Sequence, residues 1–148
     1  SGFSYKFDFD QAVKDLESTV HWVRREEGVP KVGCVGYCAG GRLAYMMAAR
    51  TDVDASVGYY GVMIDKMLNE SHAIAKPLML HIPTADGFVD ADAQKTMHRG
   101  LDDHPRVTLH DYEGLDHGFA TQFGKRRDEQ GAQLADKRTA EFFAKHLA

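Results

Sequence analysis

The stretch Gly36-Tyr37-Cys38-Ala39-Gly40 constrains this chain more than any other part of its sequence. An apolar run from Val32 to Val35 leads into it, and a segment of small residues compatible with a helix begins at Ala39. A G-x-C-x-G pattern between a strand and a helix has the form of a nucleophile elbow, with sulfur in place of the usual serine hydroxyl. We therefore predict a strained turn that presents Cys38 at the end of a strand, with glycines on both sides because a Cβ there would clash.

The helix that begins at Ala39 would direct its N-terminus at the cysteine. Its unpaired N–H groups and positive dipole end favour a thiolate and any oxyanion formed beside it, and the N–H of Ala39 is one candidate oxyanion donor. The sequence leaves open whether the resting sulfur of Cys38 is a thiol or a thiolate. A glycine-rich turn with a half-buried, unreactive cysteine is the alternative interpretation.

Length, composition and charge exclude several classes of function. The chain has 148 residues and 43% hydrophobic residues, enough for one domain with a core. A net charge of -4 gives no basic surplus for nucleic acid, and no apolar run approaches the roughly 20 residues of a membrane span. Cys34 and Cys38 would face apart across a strand, which disfavours a disulfide and suits the cytoplasm. We expect no metal and no cofactor, because no histidine pair has metal-site spacing.

Strand and helix patterns alternate along the chain. This alternation predicts a single α/β domain over residues 1–148, with a parallel four-stranded sheet flanked by helices. The first strand is apolar without alternation, which predicts burial on both of its faces. A short helix is expected around 65–69. The predicted strands are 32–36, 55–60, 77–82 and 107–112, and the predicted helices are 9–26, 39–50, 90–101 and 130–147.

Three reactive side chains follow strand ends. Cys38 follows the first strand, Asp86 the third and His117 the fourth. Because ligands of parallel sheets bind beyond the carboxyl ends of the strands, these three should share one rim. Their order, nucleophile, acid and histidine, is that of α/β-hydrolase triads. Asp90 and Asp92 are alternative candidates for the acid.

The roles of these residues follow from their chemistry. Cys38 would attack an acyl carbonyl, and His117 would accept its proton and later protonate the leaving group. Asp86 would hold the imidazole in one tautomer. His81, inside a predicted strand, is expected to be a core histidine, and Asp116 beside His117 to be solvated. Aromatic residues near these three reactive side chains are predicted to contact the substrate. They are Tyr37, Phe88 and Phe119.

Several segments carry a resemblance to a known family. They are VGCVGYCAGGRLAYMMAA, VGYYG, PTADGFVD and EGLDHGFA, at residues 32–49, 57–61, 83–90 and 113–120. With them the chain resembles dienelactone hydrolases, the carboxymethylenebutenolidase family, over nearly its whole length. The resemblance implies a cytoplasmic hydrolase of an enol-lactone or small ester, with Cys38, Asp86 and His117 as its triad.

The resemblance covers only the C-terminal part of the family's α/β-hydrolase fold. The chain opens with Ser1-Gly2 rather than methionine, and we expect it to lack the N-terminal strands. In the family those strands supply a second oxyanion donor, an acidic residue near the cysteine and a substrate-binding arginine. The family's dienelactone enzymes also carry an arginine just past the His-x-Phe-Ala motif, where this chain has Thr121 and no arginine before Arg126.

The first strand would lie in the middle of the complete sheet. Without its neighbours it presents an apolar edge, and open edges of this kind promote unwanted pairing. We therefore predict that a second copy of the chain, in a homo-oligomer, or an N-terminal piece of the protein covers this edge.

Two other functions are compatible with parts of the sequence. A truncated, non-catalytic module that oligomerises or binds a partner is compatible with the missing strands. A glutamine amidotransferase-like domain also uses G-x-C-x-G but follows it with a His-x-Glu pair, which this sequence lacks. The sequence therefore favours a hydrolase acting on a small-molecule ester or lactone.

Overall fold

The computed structural model describes residues 7–148, in which four parallel strands alternate with helices. The strands are β1 (Gly33–Tyr37), β2 (Ala55–Tyr59), β3 (Leu78–Pro83) and β4 (Val107–Tyr112). They form one sheet in the order β1-β2-β3-β4, and every neighbouring pair is parallel. The predicted four-stranded parallel sheet is confirmed, and it places the ends of all four strands along one rim.

The helices begin and end close to their predicted positions. They are α1 (Phe9–Glu26), α2 (Ala39–Arg50), α3 (Ala91–Leu101) and α4 (Glu129–His146). Side chains of Asp8, Asp90 and Asp128 accept hydrogen bonds from the first turns of α1, α3 and α4. Two 3₁₀ turns, Ile64–Lys66 and Leu68–Ala73, replace the predicted short helix. In residues 7–148, every helix is too short or too polar to cross a membrane.

The two faces of the sheet have separate apolar cores. Helices α1, α2 and α3 pack on one face, where the buried residues include Val13, Val20, Tyr45, Met47, Leu80, Met97 and Leu101. Helix α4 covers the other face, where they include Ala55, Val57, Tyr59, Tyr112, Ala132, Ala135 and Phe142. Burying apolar side chains on both faces is what parallel sheets require, so the fold follows from the apolar strand sequences.

His81 connects the sheet to α4 through a buried polar network. Its Nδ1 lies 2.7 Å from the Tyr112 hydroxyl, and its Nε2 lies 2.8 Å from the Thr139 hydroxyl. Burial, together with the positive charges of His110 and Arg138, lowers the pKa of His81 to about 3. The ring is therefore neutral at physiological pH, which confirms His81 as a core histidine whose hydrogen bonds are satisfied.

Strand β1 differs from its prediction. It was expected to be buried on both faces, but Val35 and Tyr37 are 46% and 47% exposed. Helix α4 packs on β2 and β3, so it leaves the end of β1 uncovered. Within residues 7–148, β1 pairs with β2 and its outer edge has no partner strand.

Candidate active site

Cys38 stands on a strained turn between β1 and α2. Its backbone has φ 59° and ψ -119°, a conformation with positive φ that residues other than glycine rarely adopt. Its N–H donates a 3.0 Å hydrogen bond to the carbonyl of Tyr59 at the end of β2, which fixes the turn to the sheet. The predicted strained elbow is confirmed, and such strain is typical of functional residues.

The glycines around Cys38 have different roles. A Cβ on Gly36 would overlap the carbonyl oxygen of Gly40, so the first glycine is required sterically. A Cβ on Gly40 would meet nothing within 4 Å, so the predicted clash at the second glycine is wrong. The second close approach of α2 to the sheet is at Gly41, where an added Cβ would lie 2.8 Å from the Gly61 Cα. Gly36 and Gly41 therefore let α2 pack directly against the ends of β1 and β2.

The Ala39 N–H is free at the start of α2. In residues 7–148, no backbone acceptor outside the helix pairs with it, whereas the Gly41 and Arg42 N–H groups both donate to the Cys38 carbonyl. A free N–H at a helix N-terminus next to a nucleophile has the chemistry of an oxyanion donor. This supports the prediction made for Ala39.

The surroundings of Cys38 favour a thiol. Partial burial, and to a smaller degree the negative charge of Asp86, raise the pKa of the Cys38 thiol above its ordinary value. The sulfur is therefore protonated at neutral pH. A nearby base would be required to activate it.

Asp86 and His117 form a buried pair. Asp86 Oδ2 lies 3.2 Å from His117 Nδ1, and the two side chains are 1% and 11% exposed. The other carboxylate oxygen of Asp86 accepts a 2.8 Å hydrogen bond from the N–H of Phe88. Because an ionised carboxylate can only accept, this pairing favours the tautomer with the proton on Nδ1, in which Nε2 is free to act as a base. Of the acid candidates, Asp90 caps α3 and Asp92 lies in its exposed first turn.

Asp116 has a structural role that the sequence interpretation missed. It was expected to be solvated, but its Oδ1 accepts hydrogen bonds from the N–H groups of Gly87, at 3.0 Å, and His117, at 2.6 Å. Its Oδ2 lies 3.6 Å from Arg126 Nε. One carboxylate thus joins the loop that carries Asp86 to the loop that carries His117. An aspartate directly before the histidine was the available signal, because Asp readily bonds nearby backbone N–H groups.

Cys38 and His117 line one open cavity of about 360 Å³. Within residues 7–148, the Cys38 thiol and the His117 imidazole do not form a hydrogen bond with each other. Two cations, Lys125 and Arg126, also line the cavity, and the charge of Arg126 is partly offset by Asp116. The structure therefore brings the predicted nucleophile and base to one cavity, with cations that would attract an anionic group.

Two of the three predicted aromatic contacts lie on the rim. Phe88 is 66% exposed, with its ring centroid 4.7 Å from that of His117. Tyr37 is half exposed and packs on Tyr59 at 4.6 Å. Phe119, however, is 0% exposed and packs beneath the site, so its placement contradicts a direct substrate contact. The chain turns at Gly118, with φ 84°, and directs Phe119 into the core.

The second cysteine is not part of this site. Cys34 and Cys38 are both free, and the Cys34 thiol donates to the Ser56 hydroxyl at 3.3 Å inside the sheet. Burial raises the pKa of the Cys34 thiol, so it is a poor nucleophile. No group of three or more His, Cys, Asp or Glu side chains in residues 7–148 is arranged to hold a metal ion.

A comparison with protein families gives an independent assignment. The sequence model of the dienelactone hydrolase family matches residues 3–147. The chain belongs to the dienelactone hydrolase family. This agrees with the resemblance carried by the elbow, acid-loop and histidine-loop segments.

Curated members of the dienelactone hydrolase family are similar over most of the chain. The carboxymethylenebutenolidase of Pseudomonas putida is 36% identical over 139 residues, which make up 93% of this chain and 59% of that protein. A protein of Azospirillum brasilense proposed to be a carboxymethylenebutenolidase is 47% identical over 108 residues, 73% of this chain and 47% of that protein. The chain therefore spans about half to three fifths of the length of these relatives.

The fold is also that of this family. A structure proposed to be a dienelactone hydrolase, from Klebsiella pneumoniae subsp. pneumoniae, superposes with a TM-score of 0.86 at 22% identity. The match covers 94% of this chain and 62% of the other. The sheet described above thus corresponds to part of a larger dienelactone hydrolase fold.

Proposed function

We propose that the chain carries the catalytic centre of a hydrolase that acts on small esters or enol-lactones. The observation that carries this proposal is the shared cavity, in which a thiol on a strained elbow and an imidazole paired with a buried carboxylate face the same space. Membership of the dienelactone hydrolase family supports this substrate class. The protein is proposed to act in the cytoplasm, where its two free cysteines would stay reduced.

In the proposed reaction, His117 removes the proton from the Cys38 thiol through Nε2. The sulfur forms a bond to the carbonyl carbon, and the oxyanion that results accepts a hydrogen bond from the Ala39 N–H. Collapse of this intermediate breaks the carbon–oxygen bond of the ester, and His117 donates its proton to the departing oxygen. The product of this half-reaction is a thioester on Cys38.

Water completes the cycle. His117 removes a proton from a water molecule, whose oxygen attacks the thioester carbonyl, and the carbon–sulfur bond breaks to release the acid. Cys38 regains a proton from His117. Asp86 stabilises the imidazolium in both half-reactions without itself becoming protonated.

The cavity wall suggests which esters bind best. Lys125 and Arg126 line the same cavity as the thiol, so a substrate with a free carboxylate would be attracted to it. These two cations follow Thr121, which occupies the position of the arginine expected from the family resemblance. The proposed substrate is therefore a small anionic ester or lactone.

Hydrolysis of p-nitrophenyl acetate tests the proposal. We expect the chain to release nitrophenolate, and mass spectrometry of the quenched reaction to show one acetyl group on Cys38. Cys38→Ala should reduce the rate to background, because the other thiol, Cys34, is hydrogen bonded to Ser56 and does not line the cavity. Cys34→Ala is the matched control and should retain the rate, since Cys34 lies inside the sheet. An ester with an additional free carboxylate should show the lower KM.

A different result would favour the second candidate function. The uncovered edge of β1 is the observation that supports a non-catalytic binding module. If neither ester is hydrolysed in a Cys38-dependent way and no acetyl group appears on Cys38, the hydrolase proposal for this chain fails.

We also propose that a further strand pairs with the free edge of β1. This strand would come from a second copy of the chain or from an N-terminal piece, and it would cover the exposed Val35. For a second copy, sedimentation velocity should show a dimer, which Val35→Lys weakens by placing a charge beside the edge. Leu134→Lys, on the exposed side of α4, is the control and should leave the dimer intact. A chain that sediments as a monomer at all concentrations would exclude the second copy.

A further inference from the structure

A groove lies at the opposite end of the sheet from Cys38. It runs between the start of β4 and the C-terminal half of α4, and its cavity measures about 480 Å³. None of its lining residues belongs to the cavity that contains Cys38 and His117. We define this basic groove by the side chains Arg106, His110, Arg138, Lys145 and His146, with Met79 and Phe142 as its apolar lining.

The side chains that line the basic groove carry more positive than negative charge. Within residues 7–148, Arg106, Arg138 and Lys145 form no ion pair with a carboxylate, and the acidic side chain in the lining is Glu141. The chain as a whole has a net charge of -4, so a general basic excess does not explain the cluster. Cations that lack carboxylate partners in a concave site attract anions and concentrate them there.

The two histidines of the groove, His110 and His146, both have lowered pKa values. The pKa of His110 is lowered, mainly by partial burial and also by the charge of Arg138. The pKa of His146 is lowered by burial and by the charges of Lys145 and Lys31. Each ring thus lies near at least one cation that opposes a further positive charge, while Asp111 acts in the opposite direction on His110. A bound anion would relieve the repulsion from the cations.

The side chain of Arg138 is fixed in position by its contacts with Tyr112. Its guanidinium donates a 3.2 Å hydrogen bond to the Tyr112 hydroxyl and lies 5.5 Å from the centre of the Tyr112 ring. The Tyr112 hydroxyl is in turn hydrogen bonded to His81, so a buried network fixes the arginine. Its remaining N–H groups can form a pair of parallel bonds with a carboxylate or phosphate, at little cost in side-chain entropy.

The groove is also partly apolar. Met79 and Phe142 line it but are only 7% and 8% exposed, whereas Pro77 and Pro105, where β3 and β4 begin, are more open. Inorganic ions would leave the apolar surface of these prolines uncovered, whereas a ligand with an apolar body would bury it and gain affinity.

From these observations we propose that the basic groove binds a small organic anion, a carboxylate or phosphate joined to an apolar body. The site is separate from the proposed catalytic cavity. Its existence does not depend on the hydrolase activity.

Phenyl phosphate is a suitable probe, with inorganic phosphate as its comparison. In NMR titrations of the 148-residue chain, we expect saturable shifts at residues 106–110 and 138–146. Inorganic phosphate should bind more weakly, because it has no apolar body. Lys145→Gln and Arg138→Gln should each weaken phenyl phosphate binding about tenfold, the effect of losing one charge-assisted hydrogen bond. Lys145 is exposed, so its replacement should leave the fold intact.

Two control variants separate the groove from other binding. Lys137→Gln removes a positive charge from the exposed part of α4 outside the groove, and Arg126→Gln removes one from the catalytic cavity. Both should leave the groove affinity within about twofold, since the charge removed is screened by solvent. The proposal is overturned if phenyl phosphate does not saturate, if shifts appear only around Cys38, or if Lys137→Gln weakens binding as much as Lys145→Gln.

Discussion

Gly36→Ala is expected to destabilise the fold by roughly 3 kcal/mol or more. The added Cβ would overlap the Gly40 carbonyl, which belongs to the backbone of α2 and cannot rotate away as a side chain could. To make room, α2 would have to move off β1, and apolar contacts of its buried residues would be lost. Because small domains are stable by only about 5–15 kcal/mol, this would remove a large fraction of the free energy of unfolding.

Urea denaturation followed by circular dichroism measures this effect, and Gly40→Ala is the matched control. Both substitutions add one methyl group to the same turn. A Cβ added at Gly40 would meet nothing within 4 Å, and alanine is a better helix residue than glycine by about 1 kcal/mol. We expect Gly40→Ala to be as stable as the unsubstituted chain or slightly more so. If the free energy of unfolding of Gly36→Ala is within about 1 kcal/mol of that of the unsubstituted chain, the close packing at the elbow is not as described.

The contrast between these glycines shows what local sequence can specify. The pattern predicted the turn, its strain and the start of α2 at Ala39, because these depend on neighbouring residues. Which glycine is sterically required depends on the backbone it faces, and Gly41 faces Gly61 in the loop after β2. That proximity is created by the packing of α2 on the sheet and is absent from a pattern of five residues.

Burial differs between the strands that have two neighbours and the strands that have one. Strands β2 and β3 are buried throughout. Strand β1 has a similar composition but is half exposed, because it is one of the two edge strands among residues 7–148. Strand order is a tertiary property, so composition alone could not distinguish β1 from β2.

The candidate site was predictable as a set of strand-end residues but not in its detail. Chain order and the shared rim indicated Cys38, Asp86 and His117. The role of Asp116 and the burial of Phe119 depend on how two loops fold over each other. The basic groove was not visible in the sequence either, because its cations come from two separate parts of the chain. Arg106 lies just before β4, and Arg138 and Lys145 lie on α4.

Asp86→Asn is expected to lower kcat/KM for p-nitrophenyl acetate by about 10³-fold, provided that the proposed hydrolase activity is present. Asparagine fills the same space and can still accept the hydrogen bond from the Phe88 N–H. However, its amide can donate to His117 Nδ1, which would move the ring proton to Nε2. The imidazole would then lack a free base on the side of the thiol.

Asp90→Asn is the matched control, because it makes the same chemical change four residues away. Asp90 accepts a 2.8 Å hydrogen bond from the Ala93 N–H as the cap of α3, and asparagine caps helices equally well. We expect this variant to retain the activity and the stability of the unsubstituted chain. If Asp90→Asn loses more activity than Asp86→Asn, the carboxylate has been assigned to the wrong residue.

The tautomer of His117 provides a measurement that does not require turnover. Asp86 Oδ2 lies 3.2 Å from Nδ1, so ¹⁵N shifts of the ring should show the proton on Nδ1 in the unsubstituted chain. In Asp86→Asn the proton should move to Nε2, because an amide N–H facing Nδ1 requires an acceptor there. A ring with the same tautomer in both proteins would mean that Asp86 does not orient His117, whatever the activity of the chain. The pairing of carboxylate and imidazole can thus be tested separately from the chemistry proposed for Cys38.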